Sequence, residues 1–564
     1  MVNMLVLSVL LPLLGAVGAL LLFYFLSRLD TTQVVVKASI AVLVAAVVIV
    51  VAMLVKAGGA KGTVALSSLY PSPLLESAME MRWDSILWPL GLSLSLGAGA
   101  FVLGIGKEDD RPFLFLAVLL ALLAAALAAL WSANPLTTIL CWAVYDVVVT
   151  GGRILAGERA SDAVRGLAIN SVSGLLLWAG VLVAGGGIGN VQWALVPVGG
   201  SEMILWLVAG LLRIGVYPLH LWAPKSMRLA SSLVAPVYLS PVLGWGLWMR
   251  LAQLNEGVLP FGSWIVFGGL LTLVGGGVLA WTARTPGESR PWISVGATGS
   301  TLVAAGLTSL ARQNQGIAGQ SPVGVMMLGV VAWILSTAVL FLGRGFDPRQ
   351  RFKRRFLPRA IGSLTGALSF LGLPGTAGFF CSSSAMTHLL GHGRWGWTVG
   401  FFVGEVFLTA AVVRWFLGSG SDGEEEDQIL GEVARSAGLV GTGMSLIVVG
   451  ILPGWLVPGV ASGLVASLAS FLAGPGLTGW LLWGGAVVIG GMVGWVDSGL
   501  RPRVALWLDA VHQLVLLEWV YEWLIGAIEQ GFVLLRVLDD VLAGRGALLW
   551  SCVVTLIIVL MGRW

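Results

Sequence analysis

The sequence predicts an all-α integral membrane protein of about sixteen transmembrane helices, and three observations predict it. Of 564 residues, 57% are hydrophobic and 11% charged, where a soluble domain carries about 25% charged residues. The mean hydropathy is +0.93. Apolar runs long enough to cross a hydrocarbon core of about 30 Å recur along the whole chain. The rest of the composition agrees. The 26 Trp against 6 Tyr suit indoles at headgroup level, and the 78 Gly suit helices packed through small residues. A net charge of +4 reads as a topology signal, because no basic face interleaved with aromatics points to nucleic acid.

The first span, 4–26, has no basic leader and no small-residue cleavage site, so it reads as a retained helix. Further spans are expected at 33–56, 85–106, 112–131, 134–156, 163–185, 195–217, 230–252 and 263–283. The remainder fall at 291–311, 323–343, 359–381, 396–417, 433–455, 477–497 and 546–562. Between the last two, 502–542 places Glu518, Glu522, Glu529, Arg536, Asp539 and Asp540 among Leu, Val and Trp at helical spacing. That pattern predicts an amphipathic helix lying along the membrane or against a partner, with a cytosolic hairpin as the alternative.

Loop charges orient the spans. Loops after odd-numbered helices hold Arg28, Lys107, Arg111, Arg159, Arg165, Lys225, Arg228, Arg284, Arg290, Arg501 and Arg503, together with the dense basic run Arg344 to Arg359. The opposite loops hold little beyond Lys56, Lys61, Arg82, Arg312 and Arg394. The positive-inside rule then places both termini outside a cell (inner) membrane. The acidic run Glu424 to Asp427 reads as a solvated loop tip.

Two spans carry interruptions: Gly215-Val216-Tyr217-Pro218 in the seventh and Gly372-Leu373-Pro374-Gly375 in the twelfth. Paired Gly/Pro breaks point to inverted repeats around a midplane path, although proline kinks without transport are also common. Charges inside spans are expensive and tend to be functional. Here they are Asp146 and Arg153 in the fifth helix, Arg213 in the seventh, and Glu405 and Arg414 in the thirteenth. Asp146 and Arg213 have opposite signs and can pair, whether for transport or for architecture. Arg153 and Arg414 lie near helix ends, where they are expected to snorkel. His220, just past the first break, is either a proton carrier or a structural histidine.

No cofactor motif, P-loop or metal-ligand spacing is present, so no cofactor and no metal are expected and the chain has no catalytic site of its own. Cys141, Cys381 and Cys552 read as buried thiols, and His388 and His392 as a loop-facing pair.

Three segments, in this order, resemble the antiporter-like membrane subunits of respiratory complex I, which share ancestry with multisubunit cation/proton antiporters and membrane-bound hydrogenases. Tyr145-Asp146-Val147-Val148-Val149-Thr150-Gly151-Gly152 stands where the family has a Trp-Glu pair leading into its fifth helix. Arg213-Ile214-Gly215-Val216-Tyr217-Pro218-Leu219-His220-Leu221-Trp222-Ala223-Pro224 is similar to the family's lysine followed by Pro-Leu-His-Thr-Trp-Leu-Pro. Leu357-Pro358, then Leu371 to Phe380, is similar to the broken helix ending in Gly-Phe-Phe-Ser-Lys. Weaker similarity runs from about 80 to 420 and includes Arg290-Pro291-Trp292-Ile293-Ser294. The tail, with Trp519-Val520-Tyr521-Glu522 before a final span, resembles the lateral helix and anchor of the largest such subunit.

The resemblance implies N-terminal helices 1–3 over 1–111, a first antiporter-type repeat over 112–252 and a second over 263–417. Helices 14 and 15 follow over 433–497, then the lateral helix over 502–542 and the anchor over 546–562. It also implies partners, namely the other membrane subunits of one complex, within the bilayer. The family moves protons along a midplane row of glutamate and lysine side chains. Carried over, those positions fall on Asp146, Arg213, Val242, Thr337 and Ser382. Arginine keeps the charge but holds its proton, and the last three side chains do not titrate. Glu405 and His220 are the candidate substitutes. The expected function is therefore a membrane subunit of a complex I-type assembly (NADH:quinone oxidoreductase-like), structural or with a modified ion path. The alternatives are a subunit of a Na+/H+ antiporter or inorganic-carbon uptake complex, or a non-transporting scaffold.

Overall fold

The computed structural model describes residues 2–26, 47–51, 53–54, 62–68, 78–84, 86–104, 112–185, 191–196, 200–220, 239–315 and 321–343. It further describes 357–391, 394–417, 429–457, 476–521 and the single positions 523, 526, 530, 553 and 555. Most of the second expected span, the start of the eighth, most of the final anchor and of the lateral helix past 521, the runs 344–356 and 424–427, and His392 lie outside the described residues. The chain divides into two compact units, Met1–Ala505 and Leu506–Trp564.

In the first unit the elements run α1 (Val2–Leu26), β1 (Gly62–Ser68), β2 (Ala78–Trp83), α2 (Trp88–Leu103), α3 (Pro112–Trp131), α4 (Pro135–Leu155) and α5 (Ala160–Val183). They continue with α6 (Ser201–Ile214), α7 (Pro241–Leu254), α8 (Gly262–Thr282), α9 (Pro286–Gln315) and α10 (Pro322–Leu342). Next come α11 (Leu357–Phe370), α12 (Phe379–Gly391), α13 (Trp395–Leu417) and α14 (Ile429–Ile451), and α15 (Gly476–Leu516) reaches into the second unit. The chain is a multi-helix membrane protein. Among the described residues, 11 helical spans are long and apolar enough to cross a membrane, the last two of them beginning in α15.

Three boundaries differ from the sequence reading. The seventh span, expected at 195–217, is a 3-10 turn at Trp193–Leu195 followed by a helix of 14 residues. The twelfth, expected to end at 381, stops at Phe370 and resumes from Phe379 to Gly391, because the Gly/Pro break divides it. No break separates the fifteenth span from 502–516. The 41 residues of α15 run through Pro502, more than the about 20 that one crossing needs.

The hairpin of β1 and β2 was not expected either. Its signal is the alternation Met79, Glu80, Met81, Arg82, Trp83, which puts Met81 and Trp83 on a buried face. Trp83 stacks on Trp131 at 4.8 Å.

Local chemistry starts the helix that carries Asp146. Asn134 caps α4 by accepting the amide of Thr137 at 2.8 Å, and Pro135 fills the first turn. Helix contact rests on glycine. A Cβ at Gly299 would sit 2.3 Å from the amide nitrogen of Leu273, and one at Gly276 would sit 2.6 Å from that of Gly296. These positions let α8 and α9 touch backbone to backbone, the small-residue packing used where lipid supplies no hydrophobic drive.

Candidate functional site

The first cluster joins α4, α5 and α6. Arg213 forks onto both carboxylate oxygens of Asp146: Nη1 donates to Oδ1, and Nη2 to Oδ2 at 3.0 Å. Both side chains are buried, Arg213 at 1% exposure. The guanidinium lies 4.5 Å over the ring of Trp142, one helical turn before Asp146. Asn170 of α5 faces the carboxylate. A bidentate, stacked arginine suits a fixed ion pair better than a proton carrier.

The breaks are built from satisfied backbone. Gly215 ends α6 in a left-handed conformation at φ 78°, returning its amide to Leu211. The amide of Tyr217 donates to Thr272 Oγ1 at 3.0 Å. His220 is buried, stacked on Tyr217 and edge-on to Trp292, each at 5.1 Å. In the second break Gly372 and Gly375 take positive φ of 62° and 87°. The amide of Ala377 donates to Leu446 O of α14 at 3.0 Å, and that of Gly378 to Ser369 Oγ at 3.3 Å. Irregular backbone at membrane depth is tolerable when its amides are met this way.

Beside the second break lies a cavity of about 30 Å³, lined by Ser300, Thr301, Ser336, Ser369, Cys381 and Ser382 among others. A buried water needs at least about 10 to 15 Å³, so the space suits one or two. Ser336 Oγ is buried on its wall with no hydrogen-bond partner among the described residues, and such a group wants a water. Ser300 donates at 2.8 Å to Glu405 Oε1 of α13, a carboxyl group 2% exposed. Thr337 meets Ser294 at 3.3 Å between hydroxyls.

The structure thus brings Asp146 to Arg213, and Ser382 and Ser336 to a cavity whose wall reaches Glu405 through Ser300. It packs Val242 fully buried at the start of α7. Pro218, Pro374 and Gly375 lie at the two breaks.

Arg153 and Arg414 do not snorkel. Arg153 is buried and forks onto Glu158 at 2.5 Å through both Nε and Nη2. Arg414 shares Asp497 with Arg501, at 3.0 and 2.9 Å. Both arginines also donate to carbonyls at the end of α8, Trp281 and Ala283. Carboxylates within reach, plus the negative end of α8, hold these cations inside. Sequence reasoning missed Asn170, Ser300, Asp497 and Arg250. Asp497 was legible as the i−4 partner of Arg501, and Arg250 as a charge inside the span expected at 230–252; for the neutral residues no sequence signal was available.

No family model matches the sequence. NAD(P)H-quinone oxidoreductase chain 4 2 of Microcystis aeruginosa is 25% identical over 381 residues, covering 60% of this chain and 66% of that relative. Chain 4 3 of Picosynechococcus sp. is 25% identical over 376 residues, 60% of this chain and 64% of the relative. The match thus spans just under two thirds of the curated relatives' length.

Among solved structures, a chain of the Mrp complex from Dietzia sp. superposes with a TM-score of 0.75 at 16% identity, covering 98% of this chain and 62% of that one. A chain of an archaeal membrane-bound sulfane sulfur reductase gives 0.68 at 16% identity, covering 98% and 99%. One of respiratory complex I from Thermus thermophilus gives 0.59 at 17% identity, covering 81% and 100%. The chain is therefore similar in sequence to NAD(P)H-quinone oxidoreductase chain 4 over part of its length, and it shares its fold with chains of the Mrp, sulfane sulfur reductase and respiratory complex I assemblies.

Proposed function

We propose that this chain is a membrane subunit of a complex I-type assembly, seated among other membrane subunits, and that it carries a modified proton path. The observation that carries the reading is the pairing of Glu405 with Ser300 on the wall of a hydroxyl-lined cavity. That cavity includes Ser382, where the family resemblance expects a lysine, and Ser336, the neighbour of Thr337. Hydroxyls and water pass hydrogen bonds along, while Glu405 supplies a group that can hold and release the proton. Val242 and Thr337 act as packing positions. His220, between Tyr217 and Trp292, stands at the junction of the two halves.

The two breaks, one after α6 and one between α11 and α12, support reading the first unit as two antiporter-type repeats. The cell inner membrane, with both termini outside, is the placement the loop charges favour.

The experiment is purification of the tagged protein from its native membrane in mild detergent, followed by reconstitution of what comes with it. Quinone-reducing and iron–sulfur subunits should co-purify. Glu405→Gln should assemble normally yet lower coupled proton movement by roughly tenfold or more, and Ser300→Ala by less. Full coupling in Glu405→Gln sinks the proposed path. Recovery of small antiporter subunits or a soluble zinc protein instead would move the assembly to the antiporter or carbon-uptake class.

One observation favours a scaffold reading of the first half. The Asp146–Arg213 pair is bidentate, stacked and closed to solvent, which is how a permanent strut is built.

A further inference from the structure

Arg250, in the last turn and a half of α7, is buried and has no ion-pair partner among the described residues. Its guanidinium is held by neutral oxygens. Nη2 donates to Leu130 O at 2.7 Å, and Nη1 to Ser132 Oγ at 3.0 Å and Thr138 Oγ1 at 3.4 Å. Trp193 lies under it at 5.8 Å. Asp84, just past the hairpin, and Cys141 of α4 are the titratable groups that face it at longer range. An arginine so placed keeps its full charge, since it does not deprotonate in proteins.

The turn it grips, between α3 and α4, is also lidded from outside. The amide of Ala133 donates to Glu80 O of the hairpin at 2.8 Å, and Glu80 N donates to Thr137 Oγ1 at 3.2 Å. Trp193 N donates to Ala133 O at 2.8 Å, and its indole donates to Thr138 at 3.0 Å. Arg82 and Gln192 tie hairpin and segment together at 3.4 Å. Trp142, the ring beneath Arg213, lines the same narrow crevice as Arg250 and Thr138, and that crevice has no room for a water molecule.

We propose that Arg250, under the lid formed by the β-hairpin and the 191–196 segment, is a cation barrier that seals the first half of the chain on the hairpin side of the membrane. A fixed positive charge in a dry constriction raises the energy of a proton or metal cation there, the device by which arginines exclude cations from other pores. Holding Arg250 with neutral oxygens keeps that charge uncancelled; a carboxylate contact would abolish the barrier. The helix C-terminus at Leu130 and the indole of Trp193 offset part of the burial cost. The proposal stands whether or not Glu405 carries protons, because it concerns passive leak and no driving reaction.

The test is proton leak into liposomes carrying the purified full-length chain, read by a trapped pH dye under an imposed potential. Arg250→Lys should stay as tight as the native protein. Arg250→Gln should leak roughly tenfold more, the size of a unit charge acting across about 10 Å of partly polar protein. Arg250→His gives a reading within one folded protein: its leak should grow as pH rises and the imidazole loses its charge. A tight Arg250→Gln that retains the native melting curve overturns the barrier. So does an Arg250→His leak that ignores pH, and an Arg250→Lys as leaky as Arg250→Gln would reduce the residue to a cap on α3. Should Arg250→Gln fail to accumulate, the pH series on Arg250→His decides alone.

Discussion

Removing the charge from Asp146 tests the strut at the centre of the first half. Asp146→Asn keeps the side-chain shape and one acceptor oxygen but leaves Arg213, 1% exposed, with no carboxylate. Breaking a buried pair from one side costs about 3–5 kcal/mol, roughly a two- to four-decade shift toward the unfolded state. Arg213→Gln should cost less. The stranded carboxylate can neutralise itself by taking up a proton, which the stranded guanidinium cannot do, so the Arg213→Gln defect should ease as pH falls while the Asp146→Asn defect stays. Replacing both partners with apolar side chains of similar volume, Asp146→Leu with Arg213→Met, should restore most of the loss, because neither charge is then buried alone. The assay is a double-mutant cycle on thermal or denaturant unfolding in detergent. Single changes costing under about 1 kcal/mol each and adding in the double variant would refute the idea that the two groups hold one another in the membrane.

Two other perturbations follow from packing and charge. Gly299→Ala forces a methyl group to within 2.3 Å of the amide nitrogen of Leu273, so it should separate α8 from α9 and cost about 1–3 kcal/mol. Gly151→Ala, whose added methyl would meet nothing within 4 Å, should be silent in the same melting experiment. Asp497→Asn strips the shared carboxylate from Arg414 and Arg501. Their bonds to the α8 carbonyls remain, so the expected loss is nearer the lower end, about 3 kcal/mol. Melting together with limited proteolysis around 283–285 reads it, and an unchanged protein would mean that those carbonyls suffice.

Membrane character, the approximate positions of the long spans and the two breaks were legible in the chain, for physical reasons. Lipid solvates apolar runs whatever their neighbours, and Gly and Pro act on their own backbone. The opposite charges of Asp146 and Arg213 were legible too. Their contact was not, since 67 residues separate them in the chain. The strand alternation Met79 to Trp83 was present but short, and read as loop between two spans.

What the sequence by itself determined is the solvent: a chain this apolar and this poor in charge must fold in a bilayer, with helices as its spanning units. What only the tertiary structure decided is how its few charges survive there. Arg414 on Asp497, Ser300 on Glu405 and three neutral oxygens on Arg250 join segments distant in the chain. Desolvation makes each charge costly alone, so its worth depends on neighbours that folding alone supplies.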